Sequence, residues 1–201
     1  MNEEMPDGPG PETHKDGRVR ADAQRNIEAL LQAALTVFLT SGVEAPVREI
    51  AEKAGVGIGT LYRHFPQRAD LVAAVFRHEI DACADTAAIL AAEHTPGDAL
   101  ALWMQRYAVF MGTKRGLASA LHSGNPSFDA LHPYFGQRLK PALQGLLESA
   151  GAAGEVRTDF TAEDLIGAVG SLCFNAYSQG PEHAQRMVAL LVDGLRFGAK
   201  S

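Results

Sequence analysis

Six residues within eight positions, Gly57, Ile58, Thr60, Tyr62, Arg63 and His64, carry most of the chemistry legible in this chain. They supply a short hydroxyl, a phenol, a guanidinium, an imidazole and two small or aliphatic groups, with no acid among them. No catalytic motif uses such a set. A DNA-reading surface does: hydroxyl and ring N–H groups donate to phosphates, and short side chains reach base edges. Gly57 leaves room for a phosphate beside free backbone N–H groups. For three of these residues a blander role stays open. Tyr62 either contacts DNA or packs on the preceding helix. Arg63 is a contact or a solvated charge, and His64 a phosphate donor or a plain surface histidine.

The flanking residues predict the scaffold that holds this set. Leu61 and Phe65, four apart, form the buried stripe of a short helix. Before it, Ile50, Ala51 and Ala54 mark the inward side of another short helix. Gly55 between them suits the left-handed backbone of a helix end, where a Cβ is costly. Val56 then returns to the core. Two short helices around a Gly-centred turn over about 46–65 are the layout of a helix-turn-helix, whose second helix enters the major groove. Arg48 and Arg68, at the two edges of the motif, join the DNA-facing set.

Residues 20–80 resemble the DNA-binding domain of the TetR family of bacterial transcriptional regulators. The resemblance is carried by Phe38-Leu39-Thr40-Ser41-Gly42, Val47-Arg48-Glu49-Ile50-Ala51, Ala54-Gly55-Val56, Gly59-Thr60-Leu61-Tyr62-Arg63-His64-Phe65-Pro66 and Asp70-Leu71. The run Gly57–Pro66 is similar to a branch with an SbtR-like C-terminal domain. Two positions depart from the family pattern. Pro46 stands where Ser or Thr usually caps the second helix, and Gly57 where Ser is common. The resemblance implies a homodimeric regulator, a repressor released from a palindromic operator on double-stranded DNA by a small apolar or amphipathic inducer. It implies no enzyme and no cofactor.

Charge is distributed accordingly. The chain of 201 residues carries a net charge of −6, which by itself disfavours nucleic acid. Residues 18–80, however, hold eight Lys and Arg against seven acids, while 1–17 hold one against five and 81–201 nine against twelve. The acidity therefore lies outside the proposed DNA domain. Residues 1–17, acidic and rich in Pro and Gly, predict a disordered arm. Arg18 and Arg20 at its end either lie along the DNA or belong to a solvated tail. No apolar run reaches the ~18 residues of a membrane helix, and no hydrophobic signal core opens the chain, so a cytoplasmic protein with no membrane partner is expected. Cys83 and Cys173 lack metal or redox spacing and read as buried thiols, with a redox sensor as the rival.

The predicted architecture is all-α. A three-helix DNA-binding domain over 18–80 is joined by a long helix to a ligand-binding and dimerisation domain over 81–201. Helices are expected at about 21–41, 66–94, 99–112, 116–123, 127–149, 162–178 and 181–197, besides the motif pair. The 66–94 helix would span about 44 Å, long enough to link both domains. Trp103, Tyr107, Phe110, Met111, His122, Phe128, Phe135, Phe174 and Tyr177 suit an apolar ligand pocket with few polar anchors, or simply a core. The last two helices are apolar on two sides and so face two partners. Leu165, Val169, Leu172, Met187, Leu191 and Leu195 are the expected dimer interface, with burial inside a monomer as the alternative. An enzyme is disfavoured: Glu-x-x-His pairs, a His-Glu-x-x-His helix and a phosphate loop are all missing. A DNA-binding or adaptor protein without a ligand switch is the remaining rival.

Overall fold

The computed structural model describes residues 12–117, 121, 123–175 and 180–197. Among these, every regular element is helical: α1 (Glu12–Ser41), α2 (Val47–Ala54), α3 (Ile58–His64), α4 (Arg68–Glu93), α5 (Pro96–Gly116), α6 (Leu131–Ala152), α7 (Ala162–Asn175) and α8 (Pro181–Phe197). A short 3₁₀ turn at Pro126–Phe128 precedes α6. The chain is an all-α protein in which a three-helix head, α1–α3, is carried on α4.

α1 begins nine residues before the expected start at 21, so residues 12–17 of the supposed disordered arm are helical. The reason is local: past Pro11 the sequence has a single glycine and no proline until Gly42, and extending an existing helix costs little per residue. Arg18 and Arg20 thus sit on helical backbone, their side chains falling outside the description. Leu30, Ala34, Val37 and Phe38 form the buried stripe of α1. Gly42, with φ at +85°, ends it.

α4 runs for 26 residues, about 39 Å. Pro66 lies outside it. Gln67 starts it with a reciprocal cap, in which the Gln67 N–H donates to the Asp70 carboxylate at 3.0 Å. Its buried stripe, Leu71, Val75, Phe76, Ile80, Cys83 and Ala87, continues from head to body. α5 occupies the centre of the body, packing on α4, α6, α7 and α8. Pro96, expected to break the chain, instead opens α5, where a missing N–H costs nothing. Pro141 lies inside α6. Among the described residues no helix is long and apolar enough to cross a membrane.

Candidate DNA-binding surface and effector core

The head is built from the residues that the sequence marked as inward. Ile50, Ala51, Leu61 and Phe65 are buried. Gly55 adopts φ +68° and caps α2, its N–H donating to α2 carbonyls, while the Val56 N–H donates to the Ala51 carbonyl at 3.0 Å. This closed turn fixes the angle between α2 and α3. With Leu61 committed inward, the other faces of α3 point outward. Ile58 and Tyr62 are each nearly half exposed, at 46% and 49%; Arg63 and His64 are exposed and Thr60 is half-buried. α3 bears two basic residues in its last turn and no acid in its first. Gly57 is its N-cap in extended conformation, and nothing lies within 4 Å of where a Cβ would stand. Pro46 holds the N-cap position of α2 rather than its first helical turn, and no side chain caps that helix.

Two arginines assigned to DNA also make contacts within the head. Arg48 is exposed, but its Nε donates to Glu52 at 2.9 Å within α2. Arg68 is half-buried. Its Nη1 donates to the backbone carbonyls of Val43 and Ala45 within the head. The cause is geometric: Arg68 occupies the first turn of α4, beside the loop between α1 and α2.

The aromatic set divides. Trp103, Tyr107 and Phe110 are at most 1% exposed and stack in sequence, with centroids 5.6 Å apart for Trp103–Tyr107 and 6.2 Å for Tyr107–Phe110. Phe135 from α6 and Phe76 from α4 complete the cluster, at 6.0 and 5.5 Å from Phe110. Met111 and Phe128 are half-buried around it. Phe174 does not belong to it: it is 78% exposed. The inward stripe of α7 runs through Leu165, Val169 and Cys173, so the next residue is turned about 100° away. His122 and Tyr177 lie outside the described residues. Burial raises the Tyr107 phenol pKa and pushes the Cys83 thiol up to about 12, so both stay protonated near neutrality. Both cysteines are buried thiols outside any disulfide.

Hydrogen bonds tie this core to α4. The Trp103 Nε1–H donates to the Cys83 carbonyl at 2.9 Å. The Tyr134 hydroxyl donates to Asp81 at 2.7 Å, and Arg138 bridges Asp81 and Asp85 at 2.6 and 2.7 Å. The Asp81 carboxylate raises the Tyr134 pKa, first through that hydrogen bond. This network escaped the sequence reading, although a signal existed. Asp81 and Asp85 on α4, and Tyr134 and Arg138 on α6, are both spaced i, i+4, which makes each pair one face. The buried Glu79, 4.0 Å from Arg106 on α5, was also missed.

The expected interface residues divide in the same way. Leu165, Val169 and Leu195 are buried within one protomer and serve its own core. Both helices that carry them pack on α5. The outer side of the α7–α8 pair is a groove of about 440 Å³ lined by Phe160, Ala168, Leu172, Met187, Leu190 and Leu191, with Leu165 and Leu195 also lining it. Leu172, Met187 and Leu191 are half-buried, and Leu190 is 64% exposed.

A Gly-turned helix pair, held rigidly and presenting an acid-free helix with exposed phenol, guanidinium and imidazole, defines a helix-turn-helix DNA-binding protein. Residues 30–75 match the bacterial regulatory proteins of the tetR family, and residues 95–197 match the SbtR-like transcriptional regulator C-terminal domain. Two solved structures are similar along nearly their whole length. A TetR transcriptional regulator of Streptomyces coelicolor is 34% identical with TM-score 0.74, over 85% of this chain and 98% of that one. A TetR transcription regulatory protein of Mycobacterium vanbaalenii is 33% identical with TM-score 0.73, over 89% and 99%. A curated relative, an HTH-type transcriptional regulator of Staphylococcus aureus, is 38% identical over 64 residues. That match spans 31% of this chain and only 35% of the relative's length. The chain belongs to the TetR family, with an SbtR-like C-terminal domain. Its relatives are DNA-binding transcriptional regulators, not enzymes.

Proposed function

We propose that this regulator is a cytoplasmic homodimeric repressor that leaves a palindromic operator when a small apolar or amphipathic molecule enters its body. The head, residues 18–80, contacts DNA through Gly57, Ile58, Thr60, Tyr62, Arg63 and His64. The body, residues 81–201, pairs two copies through the groove of α7 and α8. One observation carries the switch. α4 holds the head at one end, and its other half is bonded to the aromatic core through Trp103 and the Asp81–Tyr134–Arg138 network. A ligand that fits only one tilt of α4 shifts the dimer toward that tilt by no more than its differential affinity. If that tilt mis-spaces the two heads, operator affinity falls.

The test is a thermal-shift screen of amphipathic compounds, followed by operator titration with and without each hit. A hit that stabilises the protein and weakens operator binding supports the switch. A second reading, a DNA-binding or adaptor protein without a ligand switch, is favoured by the ring-on-ring stacking of Trp103, Tyr107 and Phe110, which fill the core with each other. Stabilising hits that leave operator affinity unchanged would select that second reading.

A further inference from the structure

A helix turns about 100° per residue, so position within α3 fixes direction. Leu61 is buried and sets the inward side. Gly59 and Arg63, two residues before and two after it, each lie about 160° from it. They flank the outermost line of the helix, one turn apart. Arg63 is exposed. Among the described residues nothing holds its guanidinium by a hydrogen bond or an ion pair. Arg48, by contrast, pairs with Glu52. α3 itself contains no acid that could draw Arg63 back. Side chains on a helix lean toward its N-terminus and cover the turn before their own Cα. For Arg63 that turn is centred on Gly59. No atom lies within 4 Å of where a Gly59 Cβ would stand. A glycine inside a helix is destabilising relative to alanine, so the protomer gains nothing from it there. Other helical glycines, Gly112 and Gly145 among them, are equally open, so openness alone singles out nothing. Gly59 differs in its place under Arg63 on the outward face.

We propose that Arg63 reads a guanine in the major groove, across a clearing left by the missing side chain of Gly59. A guanidinium holds its donors in a rigid planar fork. That fork matches O6 and N7 of guanine, two acceptors that no other base presents together on its major-groove edge. A phosphate is the rival partner of an exposed arginine. Direction separates the two. The flanks of α3, with Tyr62 on one side and Thr60 and His64 on the other, turn toward the groove walls where phosphates stand. The outermost line faces the groove floor, where the base edges are. A side chain at 59 would hold the helix away from that floor and block the lean of Arg63. With glycine there, the backbone approaches and the arginine spans the gap that is left.

This assignment rests on the operator-binding reading, and its test keeps the two apart. An operator is selected from random duplex DNA with the full-length wild type. Each guanine of the half-site is then replaced by the other bases and by 7-deazaguanine, which lacks the N7 acceptor. These duplexes are titrated against wild type, Arg63→Ala and Gly59→Leu. At one guanine the wild type should lose about tenfold or more with any other base. It should lose about tenfold with the analogue, as loss of one hydrogen bond from a charged donor implies. Arg63→Ala should bind all duplexes of that series within about twofold of one another. Gly59→Leu should weaken binding to the guanine duplex about tenfold or more, by losing the same contact. Its melting temperature should be no lower than the wild type's, because leucine favours a helix over glycine. Wild-type affinity in that variant would overturn the clearing. An equal loss on every duplex in Arg63→Ala, with the slope of log affinity against log salt lowered by about one, would make Arg63 a phosphate contact and overturn the proposal. If Arg63→Ala fails to fold by circular dichroism, the wild type carries the test alone, and insensitivity to the analogue at every guanine would overturn it. An operator with no Arg63-dependent guanine removes this proposal and leaves the DNA-binding reading. A wild type that selects no duplex removes both.

Discussion

The face of α3 and the outer face of α7 and α8 are both left uncovered by the protomer, and their chemistry is opposite. The first offers Tyr62, Arg63 and His64 around a single aliphatic residue, Ile58. The second offers Phe160, Leu172, Met187, Leu190 and Leu191 along one mainly apolar groove, with Arg157 and Asp164 also lining it. Exposed apolar residues scattered singly are ordinary, but a contiguous groove of them marks a partner that excludes water. Exposed donors on a rigid turn mark a partner rich in acceptors. Under the proposed function, the apolar groove suits a second protein chain and the donor-rich helix suits a polyanion.

This contrast can be broken from either side, and the apolar face is where the effect should be largest. Leu190→Glu places a carboxylate where a second copy would cover it. An unpaired buried charge costs about 3–5 kcal/mol, so dimers should dissociate by a hundredfold or more. Leu190 is 64% exposed in the protomer, so folding should survive. Sedimentation velocity at micromolar concentration checks this: a dimeric variant would clear the groove of any role in pairing.

On the polar face, Tyr62→Ala should weaken operator binding by about 1–3 kcal/mol without loss of fold, since the ring is 49% exposed. Mobility-shift titration with a melting curve on the same sample separates contact from stability. Unchanged affinity would show that the ring merely covers the head. The smallest effect is expected at Gly57→Ser. The site has no atom within 4 Å of the new Cβ, and its φ of −69° suits any residue. Helix capping should add only a few tenths of a kcal/mol, because glycine already caps nearly as well as serine. A restored hydroxyl should tighten operator binding by about threefold, one modest hydrogen bond. Isothermal titration against thermal melting resolves the two, and weaker binding would mean that Gly57 provides needed clearance.

The same contrast explains what was legible in the sequence. The head was read nearly residue by residue because its determinants are local: a left-handed glycine at 55, a stripe at 61 and 65, and polar residues between. Of the nine helices expected, eight correspond to described elements and the one at 116–123 lies mostly outside the described residues, while the all-α class followed from the same periodicity. The faces of α7 and α8 were harder. Both helices are apolar on two sides, and periodicity does not say which side α5 takes. Leu165, Val169 and Leu195 are therefore buried in the protomer, with Leu165 and Leu195 also lining the outer groove, and Phe174 is exposed. The backbone contacts of Arg68 were not legible for a related reason. Its partners are backbone carbonyls more than twenty residues away, and a carbonyl leaves no mark in a sequence. The early start of α1 reflects helix propagation outrunning compositional bias.

The central claim is that α3 reads DNA as one half of a two-fold pair. It is tested most directly by selecting binding sites from random duplex DNA with wild type and Tyr62→Ala in parallel. The account predicts that the wild type recovers an inverted repeat, with half-sites about one helical turn or a multiple apart. The variant should recover it weakly or not at all. Recovery of no shared sequence, of a lone half-site, or of the same repeat equally by both proteins would contradict the account.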